Sequence, residues 1–145
     1  MRIWHYKLLP YLPERQFRGQ FRELVAIMRD WRDRGTTNHI LINKVMEYHP
    51  CQLTEYFLRY AKECRKRYGK PVRDEYIREF MNFAPAQLLC ETVFEGWHDV
   101  GYLRVCMANL YEKYRFGRGK TRITEEEWKL LLCGYRDITG TEYQI

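Results

Sequence analysis

An arginine row with one carboxylate beside it, near the start of the chain, has the residue types and spacing for chemistry on a phosphate-bearing strand. In a helix, at roughly 100° per residue, four arginines fall in one stripe about 60° wide: Arg15, Arg18, Arg22 and Arg29. Gly19 and Ala26 project beside this stripe, and Glu23 lies just past them. Guanidinium groups suit contacts with phosphates, and a lone acid suits proton transfer on the bound strand. The alternative is a solvated polar face whose charges pair internally.

The element that must position these residues is a helix from Pro13 to about Trp31. Its apolar residues recur at helical spacing and form one arc: Phe17, Phe21, Leu24, Met28 and Trp31. Further helices are predicted over residues 38–48, 51–68, 74–83, 87–93, 99–114 and 124–135. The last begins with a capping box, because Thr124 is followed three residues later by Glu127. No alternation is long enough for a strand, so the predicted fold class is all-α.

Length and composition narrow the class of protein. A chain of 145 residues, 46% of them hydrophobic and 30% charged, is expected to be one globular domain over residues 1–145. No apolar run approaches the roughly 20 residues that span a bilayer. Five cysteines without a Cys-x-x-Cys pair indicate free thiols in a reducing cytoplasm. The net charge of +6 favours an anionic partner, of which nucleic acid is the commonest.

A second candidate for nucleic-acid contact lies at residues 111–120, where aromatic residues alternate with cations around two glycines. The cations are Arg115, Arg118 and Lys120. A flexible segment of this composition can stack on an exposed base and hold phosphates. The alternative is a helix end followed by a glycine-rich linker with solvated charges, and the spacing does not decide between the two.

The histidines and cysteines give no comparable signal. The four histidines are His5, His39, His49 and His98. No two of them have the helical spacing of metal ligands and none forms a ligand pair with a cysteine, so we expect no metal site and interpret them as turn and surface residues. Cys64 and Cys106 lie on apolar helical faces, where a buried, inert thiol is favoured over a nucleophile.

Three N-terminal segments together resemble the pyrimidine-dimer DNA glycosylase family, whose type member is the phage endonuclease V: Met1–His5, Leu9–Pro13 and Gly19–Leu24. Two later blocks fit the same family, at Asn43–Arg67 and at His98–Glu112. The resemblance covers most of residues 1–114, a family-like helical core. Residues 115–145 form an additional part, a basic-aromatic loop plus a C-terminal helix.

The resemblance implies a compact all-α DNA glycosylase that is also a lyase at abasic sites and needs no metal or organic cofactor. In this family the α-amine at the start of the chain attacks the damaged nucleotide, an imine forms as the base leaves, and β-elimination breaks the strand. Carried onto this sequence, Met1 supplies the amine, and Glu23 is the catalytic acid. Arg22 matches a phosphate-binding arginine and Arg2 the arginine beside the N-terminus. An α-amine with a pKa of about 7.7–8.0 is already partly neutral at pH 7.

The implied partner is damaged double-stranded DNA, bound by a monomeric cytoplasmic protein that contacts no membrane. Three positions depart from the family pattern. The large Arg2 side chain retains Met1, Gln16 stands where the type member has a histidine, and Ala26 stands where it has an arginine. Two other classes stay open: a DNA-binding relative that is non-catalytic or differently specific, and a structural or interaction domain.

Overall fold

The fold is built from helices alone in the part of the chain that the structure, a computed structural model, describes: residues 2–87 and 91–145. The α-helices of this part are α1 Glu14–Arg34, α2 Cys51–Tyr68, α3 Asp74–Phe83, α4 Val100–Phe116 and α5 Glu125–Thr139. Short 3-10 helices lie at Tyr6–Tyr11, Asn43–Glu47 and Gly119–Thr121. The predicted all-α class is confirmed.

Local sequence signals explain where the long helices begin and end. Both α1 and α2 end at a glycine in the left-handed conformation, Gly35 with φ of 71° and Gly69 with φ of 68°. At the start of α4, the Asp99 side chain accepts a hydrogen bond from the backbone of Tyr102. The predicted capping box of α5 is present, with two reciprocal hydrogen bonds of 2.9 and 3.2 Å.

Two predicted helices differ from the structure. The helix expected over residues 38–48 is only a short 3-10 helix, Asn43–Glu47. Asn38 takes the left-handed conformation, with φ of 52°, and therefore interrupts any helix that would begin there. In the second region, the described residues 87 and 91–93 are not helical, and residues 88–90 lie outside the described residues.

The hydrophobic core includes the buried face of α1. The predicted apolar arc is confirmed, because Phe17, Leu24 and Met28 are fully buried and the other two members are partly buried against the same core. The stacked rings of Phe57 and Phe80, 3.8 Å apart, join α2 to α3, and α1 packs on both of these helices. The helices α4 and α5 pack together, and α5 also packs on the 3-10 helix Tyr6–Tyr11.

Within the ranges that the structure describes, none of the helices combines the length and the apolar character that a bilayer crossing requires.

Candidate functional site

The first described residues form an extended segment that runs through the protein interior. Ile3, Trp4 and His5 are buried, with 0%, 6% and 3% of their surface exposed. An extended segment without a neighbouring strand has no backbone ladder, so its buried N–H and C=O groups must pair with side chains. The way in which these groups are satisfied fixes where the start of the chain lies.

One buried side chain of α1 bridges two residues of this segment. The Gln20 side-chain Nε2 donates to the carbonyl oxygen of Arg2 at 2.8 Å. The backbone N–H of Trp4 donates to Gln20 Oε1, also at 2.8 Å. The amide of Gln20 therefore takes the place of a neighbouring strand.

Three further elements complete the pairing of the segment. The Tyr102 hydroxyl of α4 donates to the carbonyl of Ile3 at 2.5 Å, and the Tyr56 hydroxyl of α2 donates to the carbonyl of Trp4 at 2.5 Å. Burial raises the pKa of both phenols, which keeps them protonated and able to donate. The backbone N–H of Tyr6 donates to Nδ1 of His98, in the turn before α4, at 3.1 Å. The segment is thus anchored by α1, α2, α4 and the turn before α4.

The half-buried Glu23 carboxylate lies at the outer end of this segment. Its Oε2 accepts the backbone N–H of Arg2 at 3.2 Å and the side-chain N–H of Gln20 at 3.2 Å. The structure therefore brings Glu23 and Arg2, two residues predicted for the site, together. The predicted nucleophile, Met1, lies outside the described residues.

The surroundings of Arg2 are aromatic. Its guanidinium lies 5.9 Å from the centre of the Trp4 ring, within the range of a cation–π contact.

Cys106 is fully buried, and burial raises the pKa of its thiol to about 11. The predicted burial is confirmed for Cys106, whereas Cys64 is only partly buried. A raised pKa disfavours the thiolate of Cys106, which is the nucleophilic form.

A basic groove of about 460 Å³ lies between the first turns of α1 and the 3-10 helix Gly119–Thr121. Its cations are Arg15, Arg18, Arg22, Lys120 and Arg122. Its two carboxylates are engaged, because Glu14 pairs with Arg18 and Glu127 caps the start of α5. Arg15 and Arg22 are exposed and form no ion pair with any residue that the structure describes. The groove therefore presents an excess of positive charge, with five cations against two carboxylates.

The second wall of the groove is held in place by a tight turn after α4. A Cβ atom at Gly117 would lie 2.3 Å from the carbonyl oxygen of Lys113, so only glycine fits there. Ile123, at the end of the turn, is 1% exposed, and its backbone N–H donates to the same carbonyl at 3.3 Å. The turn folds back on α4 and carries Lys120 to the groove.

The other aromatic and basic residues of the segment 111–120 do not line the groove. Tyr111 and Tyr114 pack on the Trp128 ring of α5 at centre-to-centre distances of 5.5 Å, so their rings belong to the interior packing. Arg115 and Arg118 are exposed, but neither lines the groove. Of the three cations predicted for this segment, the groove includes Lys120.

The predicted arginine stripe divides into two parts. Arg15, Arg18 and Arg22 line the basic groove. Arg29 instead forms a bidentate ion pair with Glu79 of α3, with both nitrogen–oxygen distances 2.9 Å. Arg32 donates a further hydrogen bond to the same carboxylate. This hydrogen bonding lowers the pKa of Glu79. In this structure Arg29 therefore joins α1 to α3.

Gly19 leaves an open surface between the groove and Glu23. In an α-helix, residues three or four apart are neighbours on the surface, so Gly19 adjoins Arg15, Arg22 and Glu23. A Cβ atom at Gly19 would have no atom within 4 Å, so no packing requirement explains a glycine there. The predicted gap beside the arginine stripe is confirmed as open space at this position.

The interpretation of the four histidines as turn and surface residues is wrong about the exposure of His5 and His98, although His98 does lie in the turn before α4. Both are buried, and their rings stack 5.2 Å apart. Burial lowers the pKa of His5 to about 4 and lowers that of His98 as well, so both are neutral at pH 7. They are buried because the extended segment runs inside the protein, which the sequence does not reveal. Among residues 2–87 and 91–145 there is no group of potential metal ligands.

Four residues of the site were not predicted from the sequence: Gln20, Tyr56, Tyr102 and Arg122. Gln20 carried a usable signal, because it is a polar residue beside the apolar positions 17, 21 and 24 of one helix. The other three residues lie on separate elements, and only the tertiary fold brings them to the N-terminal segment or to the groove.

Comparison with known proteins identifies a family for the N-terminal half of the chain. The model of the family described as pyrimidine dimer DNA glycosylase matches residues 1–76, just over half of the 145 residues. The matched range includes the extended segment, Gln20, Glu23 and the α1 wall of the groove, but not the turn that carries Lys120 and Arg122. The predicted resemblance beyond residue 76 stays a prediction. No curated protein and no solved structure matches the chain.

Proposed function

Because the chain belongs to the pyrimidine dimer DNA glycosylase family, we propose that it removes the damaged base at a UV-induced pyrimidine dimer and then cleaves the abasic strand. Family membership implies a DNA glycosylase; the lyase step and the chemistry of the N-terminal amine are our proposal. The observation that carries it is the hydrogen bond from the Arg2 amide to Glu23. In the proposed reaction the enzyme acts as a monomer, with no metal or organic cofactor.

The proposed nucleophile is the α-amine of Met1. The amine nitrogen of a residue is three covalent bonds from the next backbone nitrogen, so it lies within about 4 Å of it. The Arg2 nitrogen is 3.2 Å from Glu23 Oε2, so the residue that follows the proposed nucleophile is hydrogen-bonded to this carboxylate. Because the pKa of an α-amine is close to neutral, a fraction of this amine is already deprotonated, and therefore nucleophilic, near pH 7.

The first half of the proposed reaction exchanges the base for the amine. The amine nitrogen attacks C1′ of the damaged nucleotide, and the bond between C1′ and the base breaks with its electron pair leaving on the base. The amine loses two protons, one to the departing base and one to O4′ as the C1′–O4′ bond of the sugar ring breaks, which leaves an imine at C1′ of the opened sugar. The Glu23 carboxylate supports this step by stabilising the positive charge that develops on the sugar and the iminium.

The second half breaks the strand. A proton is removed from C2′ and the C3′–O bond breaks, so that the 3′ phosphate leaves with the downstream strand. Glu23 is the proposed base for this proton, because it is the carboxylate beside the start of the chain. Hydrolysis of the imine then releases the unsaturated sugar and restores the amine.

The proposed role of the basic groove is to hold the phosphate backbone beside Glu23. Arg15 and Arg22 have no internal partners among the described residues, so their binding to DNA breaks no ion pair. The open surface at Gly19 gives a displaced nucleotide access from the groove to the carboxylate. A dimer stacks poorly in the duplex, which lowers the free energy of displacing it.

Borohydride trapping tests this proposal. Protein with a native, untagged N-terminus is incubated with one duplex that contains a thymine dimer and with another that contains an abasic site. We expect reduction to give a covalent adduct on both duplexes, mapped by mass spectrometry to the α-amine of Met1. The matched control carries a Gly-Ser extension before Met1, which moves the amine away from Glu23, and should give no adduct at that amine.

Each other outcome has a distinct meaning. An adduct on the abasic duplex alone restricts the activity to an abasic-site lyase. No adduct on either duplex, with DNA binding intact, refutes the amine mechanism and favours a DNA-binding relative without this catalysis. An adduct that maps to a lysine side chain of the native protein refutes Met1 as the nucleophile.

A further inference from the structure

Gln20 has an unusual position for a polar residue, because its side chain is completely buried in the wall of the candidate site. Its Nε2 donates to the carbonyl oxygen of Arg2 at 2.8 Å and to Glu23 Oε2 at 3.2 Å. Its Oε1 accepts the backbone N–H of Trp4 at 2.8 Å. The Tyr56 hydroxyl, which donates to the Trp4 carbonyl oxygen, also lies 3.1 Å from Oε1 and donates to it as a second acceptor. Every polar atom of the amide therefore has a partner.

These contacts permit only one orientation of the amide. Rotation by 180° would turn Oε1 toward two oxygen acceptors and Nε2 toward the Trp4 N–H, which would replace attractive contacts by repulsive ones. In the protein interior, where the dielectric constant is low, unpaired polar groups are costly. The orientation of Gln20 is thus fixed, and so is the direction of the N–H bond that it presents to Glu23.

We propose that Gln20 is the positioning residue of this site: it orients the Glu23 carboxylate and simultaneously holds the start of the chain beside it. The inference rests on the proposed function and deepens it. In this proposal Gln20 contacts neither the nucleobase nor the sugar. It acts through its Nε2, which donates hydrogen bonds to both Glu23, the proposed general base, and the backbone of Arg2, the residue that follows the proposed nucleophile.

The decisive variant is Gln20→Glu, which keeps the size of the side chain and the acceptor for Trp4. It replaces the Nε2 donor by an oxygen that faces Glu23 at the distance now occupied by a hydrogen bond of 3.2 Å. Two carboxyl groups in one site do not readily ionise together. We therefore expect the acid limb of the pH–rate profile for β-elimination to move to higher pH by about one unit or more.

The measurement is single-turnover cleavage of a duplex with one abasic site, from about pH 5 to about pH 9 in steps of about half a pH unit. An abasic substrate isolates elimination from base release. The matched control is Gln144→Glu, the same change of charge at an exposed side chain near the C-terminus. A second variant, Gln20→Met, keeps a similar volume and removes all hydrogen bonds without adding charge. We expect it to slow cleavage at least tenfold, with DNA affinity within about twofold of the native chain.

All rates are measured below the melting transition of each variant, so a loss of folded protein cannot imitate the effect. The expected result is a shifted acid limb in Gln20→Glu and a native profile in Gln144→Glu. A folded Gln20→Glu protein with the native pH profile overturns the inference. So does a Gln20→Met protein whose rate falls only in proportion to its unfolded fraction.

A measurement on the native side chain covers the case in which neither variant folds. The two Nε2 protons of Gln20 are followed by NMR in the native chain and in Glu23→Gln. We expect the proton that faces Glu23 to shift upfield when the charge is removed, and no shift overturns the inference. Failure of the proposed function is distinguished by the native protein, which would then give no borohydride adduct on either duplex.

Discussion

The backbone N–H of Arg2 and the carboxylate of Glu23, residues 21 positions apart in sequence, are joined by a hydrogen bond of 3.2 Å. The contact exists because the extended segment is buried and paired with side chains from α1, α2 and α4. It makes Glu23 the acid beside the start of the chain. Replacement of Glu23 by a neutral residue therefore tests the proposed chemistry.

Glu23→Gln should abolish strand cleavage and preserve DNA binding. Glutamine retains an oxygen that accepts the Arg2 N–H, so the local structure should persist. It cannot take up the C2′ proton, and loss of a general base typically slows a reaction by about 10²- to 10⁴-fold. Single-turnover cleavage of an abasic duplex and fluorescence anisotropy of the same duplex measure the two properties. The control is Glu112→Gln, at an exposed carboxylate of α4; native cleavage rates in Glu23→Gln would show that the assigned acid is wrong.

Arg22→Ala and Arg122→Ala should each weaken DNA binding and reduce its salt dependence. Both residues line the basic groove from opposite walls. If each neutralises one phosphate, the slope of log affinity against log salt concentration should fall by about one unit per variant. Binding titrations at several salt concentrations give this slope.

The matched control for the groove is Arg34→Ala, an exposed arginine at the end of α1 that carries the same charge but does not line the groove. We expect its salt slope to stay close to the native value. An equal loss of slope in all three variants would mean that net charge, and not the groove, determines the affinity.

The helices were predictable because their signals are local. Left-handed Gly35 and Gly69 and the capping residues Asp99 and Thr124 act within one turn of the helix that they terminate or begin. The same periodicity predicts which arginines share a face of α1. The α1 wall of the groove was therefore accessible from the sequence.

The other half of the site depends on tertiary structure. Arg122 reaches the groove only because the chain turns back at Gly117, and hydropathy does not distinguish such a turn from a flexible linker. The sequence predicts a turn or surface position for His5, yet His5 is buried because the segment around it enters the interior. Pairing of that segment with Gln20 follows from the same course of the chain.

The buried His5 predicts a loss of stability in mild acid. Burial lowers its pKa to about 4; Lys7 acts in the same direction, while contacts with Asp99 and the backbone of His98 oppose it. The unfolded chain, with a histidine pKa near 6.5, binds the proton first as the pH falls. Stability should thus be complete above about pH 6.5 and fall by about 3 kcal/mol as the pH approaches 4. Burial lowers the pKa of His98 as well, which adds in the same direction.

Urea unfolding at a series of pH values measures this effect. The comparison variant is His5→Asn, whose side-chain oxygen can accept the Lys7 N–H that now donates to His5 Nδ1. We expect it to be less stable than the native chain at pH 7.5 but to lose less stability on acidification. If its pH dependence equals that of the native chain, the acid sensitivity originates in other groups.

Gly134→Ala should destabilise the protein, although alanine is the better helix former. A Cβ atom there would lie 2.5 to 2.9 Å from carbons of the Tyr11 ring, which packs directly on α5. Overpacking of this kind costs about 1–3 kcal/mol, against about 1 kcal/mol gained in helix propensity. Thermal unfolding should show a lower midpoint, with Cys133→Ala at the adjacent exposed position as the control. An unchanged or higher midpoint would mean that Tyr11 can move away from α5 at no cost.

Gly19 allows stability and access to the site to be separated. A Cβ atom there meets no atom within 4 Å, so Gly19→Ala should stabilise the protein by about 0.5–1 kcal/mol through helix propensity. Gly19→Leu should also fold, because leucine is a good helix former. Its side chain would occupy the surface between Arg22 and Glu23, and we expect it to slow cleavage of dimer-containing DNA at least tenfold while the alanine variant stays closer to the native rate. Thermal unfolding and single-turnover cleavage of both variants measure this pair of effects. If Gly19→Leu is stable and cleaves at the native rate, the damaged nucleotide does not approach Glu23 across Gly19.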